Sequence, residues 1–254
     1  MEMKKITLFI CLASVFFGVS CQNNNQAKSE QPTVGTSTTI EGDSTLYGLA
    51  CDGCTDSVLV FLPGKGGDPV TYDILEATTS GRVIGRPQVG DWVAVIVNGA
   101  DTLKADMVID LDQLKGTWVQ MVAPTLRERV QQPDDPNVAV EVDSMIKSMM
   151  KPVEMGFALK RHYTAQAVGR RQAAARNDDS PVILPMPRNY TAWHVVNGQL
   201  VLTVKENAAD TTAVAKVEND TADFVVMMKD SLVLRFRDGE RSYYRKKTSD
   251  GQSR

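Results

Sequence analysis

Histidine and cysteine are nearly missing from this chain, and their scarcity narrows its chemistry first. The 254 residues hold two histidines, His162 and His194, and four cysteines, Cys11, Cys21, Cys51 and Cys54. A structural zinc centre takes four N or S ligands, and both histidines lie about a hundred residues or more from Cys51 and Cys54, which disfavours an intramolecular site. Neither histidine has a serine or cysteine partner that spacing supplies, and no Gly-x-Ser-x-Gly motif occurs. Gly64-Lys65-Gly66-Gly67 lacks the spacing of a phosphate loop and the helix that follows one, so it reads as a turn. The expectation is a protein that is not an enzyme, with no cofactor and no metal.

Charge of one sign is also lacking: 28 Lys+Arg stand against 31 Asp+Glu, a net of −3. Such a chain has no electrostatic footprint for nucleic acid, and charge alone would not hold it on anionic lipid. No apolar run reaches the roughly 20 helical residues that cross a bilayer. The longest, Ile6 to Val19, has 14.

That short run is nevertheless the most informative stretch. Lys4 and Lys5 precede it and small Ser20 leads into Cys21, which reads as a signal peptide over residues 1–20 with a cysteine at the cleavage site. Cleavage would leave a diacylglyceryl thioether and an N-acyl (palmitate) chain on Cys21. Each buried methylene contributes about 0.8 kcal/mol, and two or more chains anchor stably. Val19-Ser20-Cys21 resembles the processing site of Gram-negative lipoproteins. The resemblance, with Gln22 rather than Asp after the cysteine, implies the periplasmic side of the outer membrane. Loss of Lys4, Lys5 and Glu2 takes the net charge from −3 to −4. Residues 21–43 are mostly Asn, Gln, Ser, Thr and Gly, a flexible tether reaching about 25 Å. Residues 248–254 read as a frayed tail.

The remainder is β-rich, in two modules. Over 44–112, β-prone runs recur at Thr45–Cys51, Cys54–Leu62, Val70–Leu75, Gly81–Gly85, Asp91–Asn98 and Asp106–Leu111. Val93, Val95 and Val97 point one way, with Trp92, Ala94 and Ile96 the other. So many short strands bury a core only by curling closed, and Val89-Gly90-Asp91-Trp92-Val93 resembles the Gly-Asp corner of small OB-like barrels. Over 113–247 the runs are Gly156–Thr164, Asn189–Val196, Gln199–Lys205, Ala222–Lys229, Ser231–Arg237 and Glu240–Lys246, after an opening strand at Gly116-Thr117-Trp118. Asn197-Gly198 and Asp238-Gly239 mark two-residue hairpins, and consecutive hairpins argue an up-and-down barrel. The fold class is all-β with one covering helix: a small OB-like β-barrel followed by a second, up-and-down barrel.

Leu114-Lys115-Gly116-Thr117-Trp118 resembles the Gly-x-Trp opening of lipocalin-like domains. The ending Asp230-Ser231-Leu232-Val233-Leu234-Arg235-Phe236 with Tyr243-Tyr244-Arg245 is similar to the last strands of the lipocalin-like lipoproteins of Gram-negative envelopes. The resemblance implies a lipocalin-like barrel over 113–247, with Arg245 laid over Trp118 beside Gly116. A guanidinium on an indole there closes the barrel floor and is worth about 0.5–2 kcal/mol.

Ala50-Cys51-Asp52-Gly53-Cys54 is similar to the Cys-x-x-Cys of the copper-resistance and envelope-stress lipoproteins, which implies metal or redox sensing. The residues themselves leave three readings: catalytic thiols, a zinc site, and a cross-strand disulfide. A turn rather than a helix N-terminus surrounds the pair, and Asp52 disfavours thiolate. With Asp52-Gly53 as a two-residue turn, Cys51 and Cys54 face each other at about 5.5 Å, within disulfide range. The disulfide is the favoured reading, although so short a loop adds less than the usual 2–4 kcal/mol.

Val138, Val142, Met145, Ile146 and Met149 form one apolar stripe of a helix over 138–150, started by Asp135-Pro136-Asn137 and stopped by Pro152. Between the first two strands of an up-and-down barrel it would cover a mouth, as a plug, as an adaptable lid, or as thioethers for Cu(I). The insertion 165–188 carries Arg170, Arg171, Arg176 and Arg188 and reads as a solvated loop, or as an acidic-ligand site. The functional expectation is a binding protein for a small apolar or amphipathic molecule inside the second barrel, walled by Trp193, Tyr190, Tyr163, Met145, Met149 and Phe157. The alternatives are a structural or interaction lipoprotein serving an envelope protein partner, and sensing through Cys51 and Cys54.

Overall fold

The computed structural model describes residues 40, 42–127, 136–169, 182–183, 185–205 and 217–247, with the side chains of all of these except 136–142. The expected signal peptide, Cys21, almost all of the tether and the tail lie outside these residues, as do Arg170, Arg171 and Arg176. Among the described residues no helix is long and apolar enough to cross a membrane.

The first barrel is built from β1 (Leu46–Ala50), β2 (Val58–Pro63), β3 (Val70–Asp73), helix α1 (Leu75–Thr79), β4 (Val83–Ile84), β5 (Trp92–Val97) and β6 (Ala105–Asp110). β1 lies between β2 and β5, antiparallel to both, with Ala50 opposite Phe61 and Leu49 opposite Trp92. β3 pairs with β2, and β6 pairs with β5. A parallel bridge from Asp73 to Lys104 joins β3 to the start of β6 and closes the ring. The circuit β1-β2-β3-β6-β5, with a helix after the third strand, is the five-stranded Greek-key arrangement of an OB-like barrel. β4 adds outside it, parallel to β6.

Alternation along β5 serves two cores at once. Val93 and Val95 are buried in the first barrel with Ala50, Leu59, Phe61, Tyr72, Ile74 and Val108. Trp92 and Ala94 turn the other way and join the core of the second barrel. The first barrel therefore shares a hydrophobic cluster with its neighbour, and both belong to one compact unit spanning Thr38–Arg254.

Helix α2 (Leu111–Leu114) links the two. Asp110 caps it, accepting from the Gln113 amide at 2.8 Å. After it come β7 (Gly116–Val122), β8 (Thr125–Leu126), α3 (Pro136–Met149), β9 (Val153–Leu159), a 3-10 turn at Arg161–Tyr163, β10 (Ala165–Val168), β11 (Val182–Ile183), β12 (Tyr190–Val196), β13 (Gln199–Lys205), β14 (Val217–Met227), β15 (Ser231–Phe236) and β16 (Gly239–Arg245). Eight of these strands form an antiparallel sheet in the order β10-β9-β7-β16-β15-β14-β13-β12. Tyr244 and Arg245 pair with Val119 and Trp118 across the β16–β7 seam. A single bridge from Thr164 to Ala192 brings β10 to β12. The result is a nearly closed eight-stranded up-and-down barrel.

Several boundaries differ from the sequence reading. β3 stops at Asp73 and residues 75–79 are helical, because Asp73 Oδ1 accepts the Leu75 amide at 2.9 Å and starts the turn. The run Gly156–Thr164 is not one strand: it breaks at the 3-10 turn, where His162 and Tyr163 take φ of +57° and +55°, and reverses into β10. β14 begins at Val217, five residues before the expected start. The helix spans Pro136–Met149 rather than 138–150.

Candidate functional site

The floor of the second barrel is made by Trp118 and Arg245. The Trp118 indole is fully buried and its Nε1 donates to the Leu114 carbonyl at 2.7 Å. Arg245 holds its guanidinium 4.1 Å from the ring centroid. Its Nη1, Nη2 and Nε donate to the carbonyls of Lys115, Gln113 and Lys229 at 2.7, 2.5 and 2.7 Å. One cation thus ties together α2, the opening of β7 and the β14–β15 turn.

Beside this floor the first barrel docks on the bottom of the second. Where the chain enters β1, Asn197 at the tip of the β12–β13 hairpin binds it. Asn197 Oδ1 accepts from the Ser44 amide and hydroxyl at 2.9 and 2.8 Å, and Nδ2 donates to the Gly42 carbonyl at 3.0 Å. The Asn197 amide points at Thr45 Oγ1, 2.9 Å away. Gly198, next in the tip, packs so closely that a Cβ there would meet the Met107 sulfur at 2.8 Å. The Tyr47 hydroxyl reaches the Val195 carbonyl. Tyr163 is the centre of the seam: His194 stacks on it at 5.0 Å, Trp193 packs at 5.3 Å, and Trp92 Nε1 donates to its hydroxyl at 3.3 Å. Positive φ at a bulky residue costs about 1–3 kcal/mol; at Tyr163 this packing offsets it. Burial lowers the His194 pKa and raises that of Tyr163.

The six residues expected to wall a ligand cavity are not arranged around one space. Phe157, Tyr190 and Trp193 are buried in the second barrel in a continuous cluster with Leu200, Leu202, Phe224, Leu232, Leu234 and Tyr243. Phe157 touches Tyr190 edge-on at 5.9 Å and lies 5.0 Å from Tyr243, so these rings fill the interior. Tyr163 belongs to the seam between barrels. Met145 and Met149 are 46% and 38% exposed on α3. Five apolar positions at helical spacing signal an amphipathic helix, but spacing carries no information about what its stripe meets.

The cysteine pair also differs from the expected geometry. Cys51 donates its amide to the Val60 carbonyl at 2.8 Å, and the amide of Thr55 bonds the Val58 carbonyl at 2.8 Å. The loop therefore runs from Cys51 to Ser57, and Val60 rather than Cys54 stands opposite Cys51. Both cysteines are free thiols, half-buried. Cys54 Sγ accepts from the Val60 amide at 3.3 Å and donates to the Cys51 carbonyl at 3.0 Å. The cross-strand disulfide is corrected to two thiols within a wider loop, because Asp52-Gly53 is only the first of its two turns.

The Cys54 thiol forms part of the wall of a cleft of about 420 Å³ at one end of the first barrel. Leu59, Ile74 and Val108, buried in the barrel's core, back its inner wall; Val58, Val83 and Pro87 line it half-buried, and its rim carries Asp56 and Arg86. Neither rim charge has an ion-pair partner among the described residues. Thr78, on the α1 side, has a buried Oγ1 with no hydrogen-bond partner among the described residues. The loop holding Arg86 is fixed from behind, where its amide donates to Gln113 Oε1 at 2.9 Å. Burial pushes the Asp110 carboxyl, which caps the same helix, up to about 6.

Sequence patterns did not mark Asp56, Arg86, Thr78 or Gln113, since each lies in a loop or short helix without period. Asp110 three residues before Gln113 is the one local signal, an acidic cap ahead of an amide. Among the described residues no group of His, Cys, Asp and Glu is arranged to hold a metal ion. Comparison with known protein families, curated proteins and solved structures finds no match to this chain.

Proposed function

We propose that this chain is a lipoprotein held at the periplasmic side of the outer membrane through Cys21, and that it binds a small amphipathic molecule in the cleft of its first barrel. The role is binding rather than catalysis. The observation that carries this reading is the cleft itself. About 420 Å³ falls in the range of small-molecule sites, roughly 300–1,000 Å³. The half-buried Val58, Val83 and Pro87 suit a small apolar body, and Asp56 and Arg86 at the rim suit a polar or charged head. The packing of Phe157, Tyr190 and Trp193 into one cluster inside the second barrel supports reading the cleft of the first barrel as the site, instead of the second barrel, where the sequence suggested it.

Kinship with the lipocalin-like lipoproteins of Gram-negative envelopes is part of the same proposal, supported by the up-and-down order of β7 to β16 and by Arg245 over Trp118. A second reading is favoured by the packed core of that barrel: with its interior occupied, it offers only its outside, which suits an interaction module for an envelope partner.

Native mass spectrometry of protein purified from its own host's membranes tests the binding reading. A small molecule should be retained by the wild type and lost from a cleft-filling Val58→Trp variant; equal retention by both would overturn the site. Metabolic labelling with a palmitate analogue should mark the wild type and not Cys21→Ser.

A further inference from the structure

The second barrel is nearly closed around its circumference but uneven along its upper rim, the end away from Arg245. β14 is eleven residues long, and its pairing with β15 begins only at Ala222 opposite Phe236. From Val217 to Thr221 it keeps β13 on one side, with Val217 opposite Lys205 and Thr221 opposite Val201. Among the described residues no strand lies on the other side, because the chain turns back at Arg237 and Asp238 into β16. In a strand paired on one side, every second residue points its amide and carbonyl away from the partner. Closed barrels otherwise have no such edge, and a bare edge is a template for another strand.

The notch left by the short β15–β16 hairpin has a volume of about 640 Å³; Asn219, Thr221 and Phe236 line it, together with three arginines, Arg188, Arg237 and Arg241, and three carboxylates, Glu218, Asp220 and Asp238. Its charges differ in their commitments. Arg188 is held by Asp220 at 2.8 Å and Glu218 at 3.1 Å, and Asp220 also meets the Tyr190 hydroxyl at 3.2 Å. Arg241 pairs with Asp238 and covers the Phe236 ring at 4.6 Å. Arg237 is exposed and has no acidic partner among the described residues. Val217, Asn219 and Thr221 are exposed, and none carries a side-chain charge that would repel an approaching backbone.

We propose that Val217–Thr221 is a docking edge for an extended peptide segment of a partner protein, which adds as a strand beside β14 and brings a carboxylate to Arg237. The segment takes the place that β15 would fill if it began pairing five residues further along. Backbone hydrogen bonds would supply the affinity, and Arg237 the preference for an acidic residue. The inference is independent of the cleft, which lies in the other barrel.

Amide hydrogen exchange on the full chain tests it, with the peptide acetyl-Thr-Val-Thr-Val-Glu as probe. Without peptide, the amides of Asn219 and Thr221, which point away from β13, should exchange faster than those of 222–227. Peptide at millimolar concentration should slow exchange in the 217–221 segment. Arg237→Gln, or replacing the peptide's Glu and terminal carboxylate by amides, should weaken binding about fivefold, the scale of an exposed ion pair. Methylating the peptide nitrogens that face β14 should abolish it. Slow exchange of Asn219 and Thr221 before any peptide is added would mean that the chain covers its own edge, and would overturn the proposal. So would an absence of protection, or equal binding of the acidic and amidated peptides.

Discussion

Gly116 leaves no room for a side chain, because a Cβ there would lie 2.1 Å from Nη1 of Arg245. Its φ of +141° is also one that L side chains rarely adopt. The glycine thus makes space for the guanidinium that covers Trp118 two residues later. Arg245→Ala is expected to destabilise the chain by about 2–4 kcal/mol, from three lost hydrogen bonds and the cation–π contact. Lysine cannot reproduce the fork, so Arg245→Lys should recover less than half of that loss. Urea unfolding followed by tryptophan fluorescence measures both, and Gly116→Ala should fall within the same range.

Asn197 holds the first barrel against the second by its side chain and also takes a φ of +48° at the hairpin tip. Asn197→Gly keeps the backbone easy and removes the side-chain bonds, whereas Asn197→Ala loses both. Losses of about 1–2 kcal/mol for glycine and up to about 1 kcal/mol more for alanine are expected. Hydrogen exchange should localise the effect to residues 42–47 in either variant.

Two groups, the buried Asp110 and the half-buried His194, tilt stability with pH in opposite directions. Asp110, raised by burial to about 6, binds its proton more readily in the folded chain than in the unfolded one. Its contribution is fully present below the ordinary value near 4 and is lost as pH rises through about 6. His194, lowered by burial, behaves conversely: its contribution is present above about 6.5 and is lost as pH falls through its depressed folded value. Asp110→Asn retains an acceptor for the Gln113 amide. It should flatten the acid side of a stability–pH curve and add about 1–3 kcal/mol at pH 7. His194→Gln should remove the loss seen just below neutrality.

The thiol state of Cys51 and Cys54 makes reductant a direct probe. Unfolding midpoints measured with and without dithiothreitol are expected to coincide, since no covalent link is broken. Cys54→Ala should cost about 0.5–1.5 kcal/mol through the lost sulfur contacts to Val60 and Cys51, and Cys51→Ala less.

Alternation of apolar residues located most strands, since a period of two survives wherever one face is buried; it missed the two-residue β8 and β11 and also β10, which lies in the stretch read as a loop over 165–188. Along β5 it also separated Val93 and Val95 from Trp92 and Ala94, the two sets that enter different cores. The hairpin tips Asn197-Gly198 and Asp238-Gly239 were legible because two consecutive residues there must tolerate unusual backbone angles. Asp52-Gly53 carries the same signature, yet Thr55 and Val58 close a second turn that no dipeptide announces. The break at His162 and Tyr163 was hidden for a different reason. Neither residue is a turn former, and the packing of Tyr163 against Trp193 and His194 over long sequence distances imposes the conformation. The cleft was invisible because Asp56, Thr78 and Arg86 meet only once the ring of β1, β2, β3, β6 and β5 closes.

The grip of Asn197 on Gly42, Ser44 and Thr45 has a mechanical consequence. Tension arriving along the chain from the N-terminal side meets this clasp before it reaches β1. Its bonds run to the hairpin tip of the other barrel, so the load passes into the joint between the two bodies instead of peeling β1 from β2 and β5. A pulling experiment should therefore record a small early rupture, weakened by Asn197→Ala, ahead of the main unfolding event. The clasp would serve as a strain relief, shielding the first barrel and its 420 Å³ cleft from tension on the N-terminal segment.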